Sequence, residues 1–213
     1  MKIKAIFSLL MGMFTFLAAN AQYPPVENNL DKKIKTFLEE NANNWKDMNV
    51  SVAEGKILYD IIIKNSYKSA VEIGTSTGHS AIWIAWALSK TGGKLITIEI
   101  DKRRFLQAKA NFKKAGVSKF IDMRLGDAHE IVPTLPGKYD FVFCDADKFW
   151  YKKYFIALDP KLVPGASFVA HNVTMRVSGV TELLNYVESL NNYTTTFDNT
   201  NRSGMAISYK KSE

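Results

Sequence analysis

Five short stretches of the chain carry residue types that can do chemistry. "CDADK" places Asp145, Asp147 and Lys148 almost side by side. Paired carboxylates beside an amine suit cation binding and proton transfer, or form local ion pairs in a solvated loop. "VAHNV" puts His171 and Asn172 at the end of an apolar run, in a chain with only 3 histidines. A histidine there serves as a metal ligand, a proton-transfer group or a polar strand end. "VEIGTSTGHS" brackets a turn with Gly74 and Gly78, where backbone N–H groups can approach a ligand closely. The turn is not G-x-G-x-x-G, which disfavours a nicotinamide cofactor, and no G-K-[ST] follows to make a P-loop. Glu99 ends "KLITIEI", where a carboxylate can accept both hydroxyls of a ribose. Asp127 in "GDA" can meet an adenine edge or cap a helix. The glycine turn and Glu99 together point to a nucleoside-containing cofactor without a pyrophosphate.

These residues fall at the ends of predicted strands. "AVEIG", "KLITIEI", "FIDMRLG", "YDFVFCDA" and "ASFVAHN" read as strands, and "YTTTF" and "MAISYK" as a closing pair. Between the first five lie the helical stretches "HSAIWIAWALSK", "RRFLQAKANFKKAG", "EIVPTL" and "YKKYFIAL", and "VTELLNYVESL" follows the last of them. Such alternation implies an α/β fold with a mostly parallel sheet whose apolar strands are covered on both faces. Ligands bind outside the carboxyl ends of such strands. Glu72–Gly78, Glu99–Asp101, Gly126–Ala128, Asp145–Lys148 and His171–Asn172 are therefore expected to converge. Ahead of the sheet, Leu30, Ile34, Phe37 and Leu38 share one helical face, and Ile57, Leu58, Ile61 and Ile62 another. Ser51 with Glu54 three residues later forms a capping box for that second helix. Trp83 and Trp86 read as packing, His79 as a neighbour of the turn's ligand and His129 as a surface residue. Trp150, Tyr151, Tyr154 and Met175 form either an aromatic substrate wall or core.

The chain has 213 residues, 46% of them hydrophobic, enough for one domain with a sizeable core. Its formal charge of +7 suits an acidic partner such as RNA, an anionic membrane or an anionic metabolite. The lysines are scattered rather than striped, which argues against nucleic acid. Cys144 is the single cysteine, which excludes an intrachain disulfide and a cysteine-based zinc site. Residues 1–21 read as a signal peptide: "MKIK", an apolar run, then small residues at Ala19 and Ala21. The expected division is 1–21 leader and 22–213 domain, with an exported, periplasmic or secreted product and no membrane span in the mature chain. A cytoplasmic or leader-anchored protein is the alternative, and a homodimer is left open.

"VEIGTSTGHSAIWIA", "ITIEID", "GDA", "FVFCDADK" and "HNV" occur in this order. In that series the chain resembles the class I S-adenosylmethionine (SAM)-dependent O-methyltransferases of the catechol and caffeoyl-CoA type, over roughly Leu30 to Lys211. The resemblance implies a single Rossmann-like, doubly wound domain with a seven-stranded, mostly parallel sheet and an antiparallel closing strand. By position, Glu72, Gly74, Thr75 and Ser80, with Val50 from the preceding loop, would line the methionine portion of SAM. Glu99 would hold the ribose, and Asp127 and Ala128 would flank the adenine. Asp145 would sit between SAM and a divalent metal, with Asp147 nearby, and Lys148 would be the proton acceptor. The family carries Asp-Asn where this chain has His171-Asn172. Asp145, His171 and Asn172 then form a one-carboxylate ligand set, suited to Mn²⁺, Fe²⁺ or Zn²⁺ better than to Mg²⁺ or Ca²⁺. Alternatively the metal is lost and His171 is a base or donor in catalysis, or His171 is structural. The implied activity is methyl transfer to a hydroxyl of a small phenolic or catechol-like acceptor. An RNA methyltransferase and a SAM-binding protein without catalysis are the competing readings.

Overall fold

A computed structural model describes residues 28–211 except Arg176; the expected leader, residues 1–21, lies outside the described residues. The elements run α1 (Asn29–Glu40), α2 (Val52–Asn65), β1 (Ser69–Ile73), α3 (His79–Thr91), β2 (Lys94–Glu99), α4 (Lys102–Ala115), β3 (Ile121–Leu125), α5 (Ala128–Thr134), β4 (Tyr139–Cys144), α6 (Tyr151–Leu158), β5 (Leu162–His171), α7 (Ser178–Glu188), β6 (Tyr193–Asp198) and β7 (Met205–Lys210). The strands form one sheet in the order β3-β2-β1-β4-β5-β7-β6. β1 to β5 pair in parallel, and β7 runs antiparallel between β5 and β6.

Alternation along the central strands divides the core in two. On β4, Phe141 and Phe143 face one layer with Ile34, Leu58, Ile62 and Ile82. Val142 and Cys144 face the other, with Phe155, Leu158 and Leu183. Each fully buried side chain of this kind contributes roughly 1.5–3 kcal/mol by leaving water. The expectation of coverage on both faces fails at β3. Asp122 and Leu125 there are exposed, because β3 is an edge strand.

Local signals place the helices as the sequence indicates. α1 opens with a capping box between Asn28 and Asp31. Asp31 is also buried against α3, where it accepts from Trp86 Nε1 at 2.7 Å and pairs with Lys90. The Ser51–Glu54 capping box opens α2 as expected. Gly116 stops α4 in the left-handed conformation. Among the described residues no helix is long and apolar enough to cross a membrane. The strand order reverses between β1 and β4, so the connections leaving their carboxyl ends run to opposite faces of the sheet and leave a crevice.

The start of α2 rests on the Ser51 hydroxyl, which accepts from the Glu54 N–H at 3.2 Å. Ser51→Ala should lower unfolding free energy by about 1 kcal/mol, read as a shifted urea midpoint at unchanged slope. An unchanged midpoint would show that the cap contributes nothing.

Candidate active site

A cavity of about 780 Å³ opens at the carboxyl ends of β1, β2, β3, β4 and β5. Its first wall is the turn after β1. Gly74 has φ +94°, and a Cβ there would lie 2.3 Å from the Asp145 carbonyl, so only glycine lets the two strand ends approach. Ser76 follows with φ +49°, and its N–H donates to Glu99 Oε2 at 2.7 Å. Glu99 Oε1 accepts from the Asp101 N–H at 2.8 Å, so backbone donors fix the carboxylate facing the cavity. Asp127 caps α5 by accepting from the His129 N–H at 2.8 Å. The loop before α2 closes one side. Asp47 holds Arg104 in a two-pronged pair at 3.1 and 2.8 Å, and its carbonyl accepts from Ser76 Oγ. That staple sets Met48 and Asn49 against the cavity.

The second wall is a chain of charged side chains. Lys148 Nζ donates to Asp145 Oδ1 at 2.7 Å and to the Ala146 carbonyl at 3.2 Å. Asp145 Oδ2 lies 3.0 Å from His171 Nδ1. His171 Nε2 meets Glu54 Oε1 at 2.8 Å, and Glu54 Oε2 accepts from the Ser51 N–H at 2.7 Å. The Tyr151 hydroxyl donates to the His171 carbonyl at 3.1 Å, which fixes the strand end. Asn172, with φ +57°, presents its residue to the same cavity.

Burial and charge act against each other here. Burial alone would lower the His171 pKa, but Asp145 and Glu54 on either side raise it from 6.5 to about 9. Burial would raise Glu54, yet His171 and the Ser51 donors bring it from 4.5 to about 2. Asp145 is likewise lowered: His171 and Lys148 outweigh its burial. The site therefore demands positive charge between Asp145 and Glu54. Although 3.0 Å from Asp145, His171 Nδ1 has no hydrogen-bond partner of acceptable direction.

Glu72 lies beneath the glycine turn. Burial raises its pKa from 4.5 to about 8 despite hydrogen bonds from Ser80 and Thr97. Its Oε1 has no partner.

The sequence profile of the O-methyltransferase family matches residues 25–189. The chain belongs to the O-methyltransferase family. It is 38% identical over 130 residues to a catechol O-methyltransferase of Niastella koreensis, covering 59% of this chain and 58% of that one. It is 34% identical over 116 residues to a caffeoyl-CoA O-methyltransferase of Medicago sativa, covering 52% and 47%. The chain thus spans about half the length of these two relatives. Among solved structures it resembles a Bacillus cereus O-methyltransferase in complex with SAH, with TM-score 0.75, 25% identity and coverage of 88% and 94%. A Streptomyces achromogenes O-methyltransferase in complex with SAM gives TM-score 0.73, 27% identity and coverage of 87% and 91%.

Set against the O-methyltransferase pattern, the expected residues divide. Gly74, Glu99, Asp127, Ala128, Asp145 and Asp147 line the cavity, as do Lys148, His171 and Asn172. Val50, Glu72, Thr75 and Ser80 do not; they are buried behind its wall. Thr75 Oγ1 sits 2.5 Å from Thr97 Oγ1, and the Val50 carbonyl lies 2.8 Å from His79 Nδ1. His79 is itself buried and stacked on Trp45, with its pKa lowered by burial, so it supports the loop rather than bordering the cavity. Trp86 is buried packing, while Tyr151 is core and Tyr154 and Met175 line the cavity. His129 is not a simple surface residue: it stacks on Trp150 at 3.7 Å between centroids and lines the cavity beside Asp127. Glu54 was legible only as a helix cap, and nothing near it in sequence signals its cavity-facing partner.

Among the described residues no three His, Cys, Asp or Glu side chains converge as a metal cluster. Of the expected ligand set, Asp145, His171 and Asn172 all line the cavity. Asp145 Oδ1 accepts from Lys148 and Oδ2 lies 3.0 Å from His171 Nδ1, so a cation bound there would have to displace the second proton that the raised pKa keeps on the ring.

The close approach at Gly74 joins the two walls. Gly74→Ala combines a left-handed φ with a clash at Asp145, and should cost about 1–3 kcal/mol of stability. It should also weaken SAM binding measured by isothermal titration. Wild-type affinity in a folded Gly74→Ala protein would show that the turn does not shape the cofactor site.

Proposed function

We propose that this O-methyltransferase moves the methyl group of SAM to a hydroxyl of a small phenolic or catechol-like acceptor, with a divalent metal held by Asp145, His171 and Asn172. The observation that carries the reading is the cavity at the strand ends. It joins the Glu99 carboxylate, placed where a ribose could be held, to a charged cluster built on Asp145, Lys148 and His171. The names of the Niastella and Medicago relatives support the acceptor class.

SAM supplies an already activated methyl group, so the protein's task is alignment. Glu99 is oriented to accept from the ribose hydroxyls, and the α5 start at Asp127 and Ala128 borders the adenine. A divalent cation would supply Lewis acidity toward the acceptor oxygen. Imidazole among its ligands suits Mn²⁺, Fe²⁺ or Zn²⁺ better than Mg²⁺ or Ca²⁺. Lys148 lines the cavity next to Asp145, and once its ammonium has given a proton to solvent the neutral amine would take the acceptor's proton at Nζ. An O–C bond forms as the C–S bond breaks, and the electron pair returns to sulfur.

The test uses full-length protein, SAM and a panel of catechols and single-hydroxyl phenols. Turnover is expected, falling at least about tenfold after chelation and restored by Mn²⁺ or Zn²⁺ more than by Mg²⁺. Lys148→Met should lower kcat by roughly 10²–10⁴ with little change in SAM affinity. Tight SAM binding with no phenol turned over would favour the non-catalytic reading, and undiminished rates after chelation would remove the metal.

We also propose export, from the leader-like residues 1–21. Cell fractionation with N-terminal sequencing should find the protein outside the cytoplasm, starting near Gln22. A full-length cytoplasmic protein would refute it.

A further inference from the structure

We propose that the outer face of α4, together with the start of α1, docks on a bilayer rich in anionic phospholipid. The lysines are scattered along the sequence, but the fold gathers a group of them on this face.

α4 reads KRRFLQAKANFKKA, 14 residues without an acid. Its buried positions Ala108, Phe112 and Ala115 turn inward. On the outer side Lys102, Leu106, Lys109 and Lys113 recur at helical spacing, and all are exposed. α1 packs against α4, and its start lies over the far end of that helix. Lys33 covers Gly116, the residue that stops α4: a Cβ on this glycine would meet the Lys33 side chain at 3.2 Å. Lys32 and Lys33 therefore extend the cationic end formed by Lys109, Lys113 and Lys114. Among the described residues no acidic side chain pairs with any of these lysines. The acid nearest in sequence, Asp31, turns inward to Trp86 and Lys90. At the other end of α4 the charge is balanced, because Asp47 pairs with Arg103 and Arg104.

Unbalanced like charges repel one another, and an anionic surface relieves that repulsion. A bilayer suits this face better than nucleic acid for two reasons. Leu106 stands 55% exposed within the lysine stripe. At a lipid interface it enters the headgroup layer, while the lysine stems lie along the surface and their ammonium groups reach the phosphates. The chain also enters α1 at Asn28, next to Lys32 and Lys33, so the apolar run of residues 5–19 is joined to the molecule at this face wherever it is retained. Docking here leaves the active-site cavity open to water. Arg104 marks the cavity edge, and Lys113 lies more than two turns further along α4, about 14 Å away by helix rise.

The experiment sediments full-length protein with vesicles of equal parts phosphatidylglycerol and phosphatidylcholine, and with phosphatidylcholine alone. The ratio of the two partition coefficients cancels binding by residues 1–21 that does not depend on lipid charge. Wild type should prefer the anionic vesicles strongly, and about 0.5 M salt should abolish the preference. At roughly fivefold per lysine, Lys109→Gln/Lys113→Gln/Lys114→Gln should lower the ratio by about 100-fold. Lys152→Gln/Lys153→Gln/Lys161→Gln removes the same charge around α6, on the opposite side of the sheet, and should leave the ratio nearly unchanged. Contact is read separately with an environment-sensitive dye on Leu106→Cys, since the one native cysteine, Cys144, is buried. Its emission should rise on anionic vesicles only. No anionic preference in wild type, an equal loss in both triple variants, or a dye that stays in water would each overturn the proposal. Binding of double-stranded RNA without any anionic-vesicle preference would overturn it in favour of nucleic acid.

Discussion

The structure depends on one side chain held between two buried acids. His171 ends β5 with Glu54 on one side and Asp145 on the other, from elements far apart in the chain; Glu54 and His171 are 117 residues apart. Taking a carboxylate out of water costs several kcal/mol unless donors and opposite charge replace the lost hydration. Here the replacement comes from the Ser51 backbone, the Lys148 ammonium and the imidazole. That requirement dictates where α2 starts, why Lys148 follows Asp145 so closely, and why Tyr151 reaches the His171 carbonyl. None of these groups can shift alone without leaving a buried charge behind.

The backbone stores strain in the same place. Of the non-glycine residues in left-handed conformation, Met48, Ser76 and Asn172 all border the cavity. Such conformations cost about 1–3 kcal/mol each and persist where surrounding contacts over-determine them. Those contacts are present: Asp47 and Arg104 brace Met48, Glu99 accepts from the Ser76 N–H, and the Asn172 carbonyl accepts from the Met175 N–H. The outcome is a preshaped crevice in which the cofactor wall and the charged wall meet at the Gly74–Asp145 contact.

The sheet was legible because its signals are local. Strand-helix alternation, the Gly116 stop and the Ser51 cap each depend on neighbours a few residues away. β3 misled because an edge position is a property of topology, not of its own residues. The two other histidines traded places for the same kind of reason. His79 sits in a turn that lines a ligand cavity, yet its ring points back onto Trp45 and the Val50 carbonyl. His129 follows a helix cap, where exposure is the default, but Trp150 from the next crossover stacks on it. Glu54 was hidden most completely. Its capping role explains the residue fully at short range, so nothing in the sequence asks for a second partner.

That second partner changes how the substitution at His171 is understood. An aspartate in this place would set a third buried carboxylate beside Asp145 and Glu54, and the cluster would need a cation from outside to balance it. Histidine brings part of that balance itself. Its imidazole lies 2.8 Å from Glu54 and 3.0 Å from Asp145, and the two acids raise its pKa to about 9. The Lys148 ammonium, 2.7 Å from Asp145, completes the pairing. Two buried carboxylates thus meet two cationic side chains, and charge within the cluster is matched by the chain's own residues. Any divalent ion at Asp145 would have to compete with Lys148 and with the second proton of His171, which ties its binding to pH.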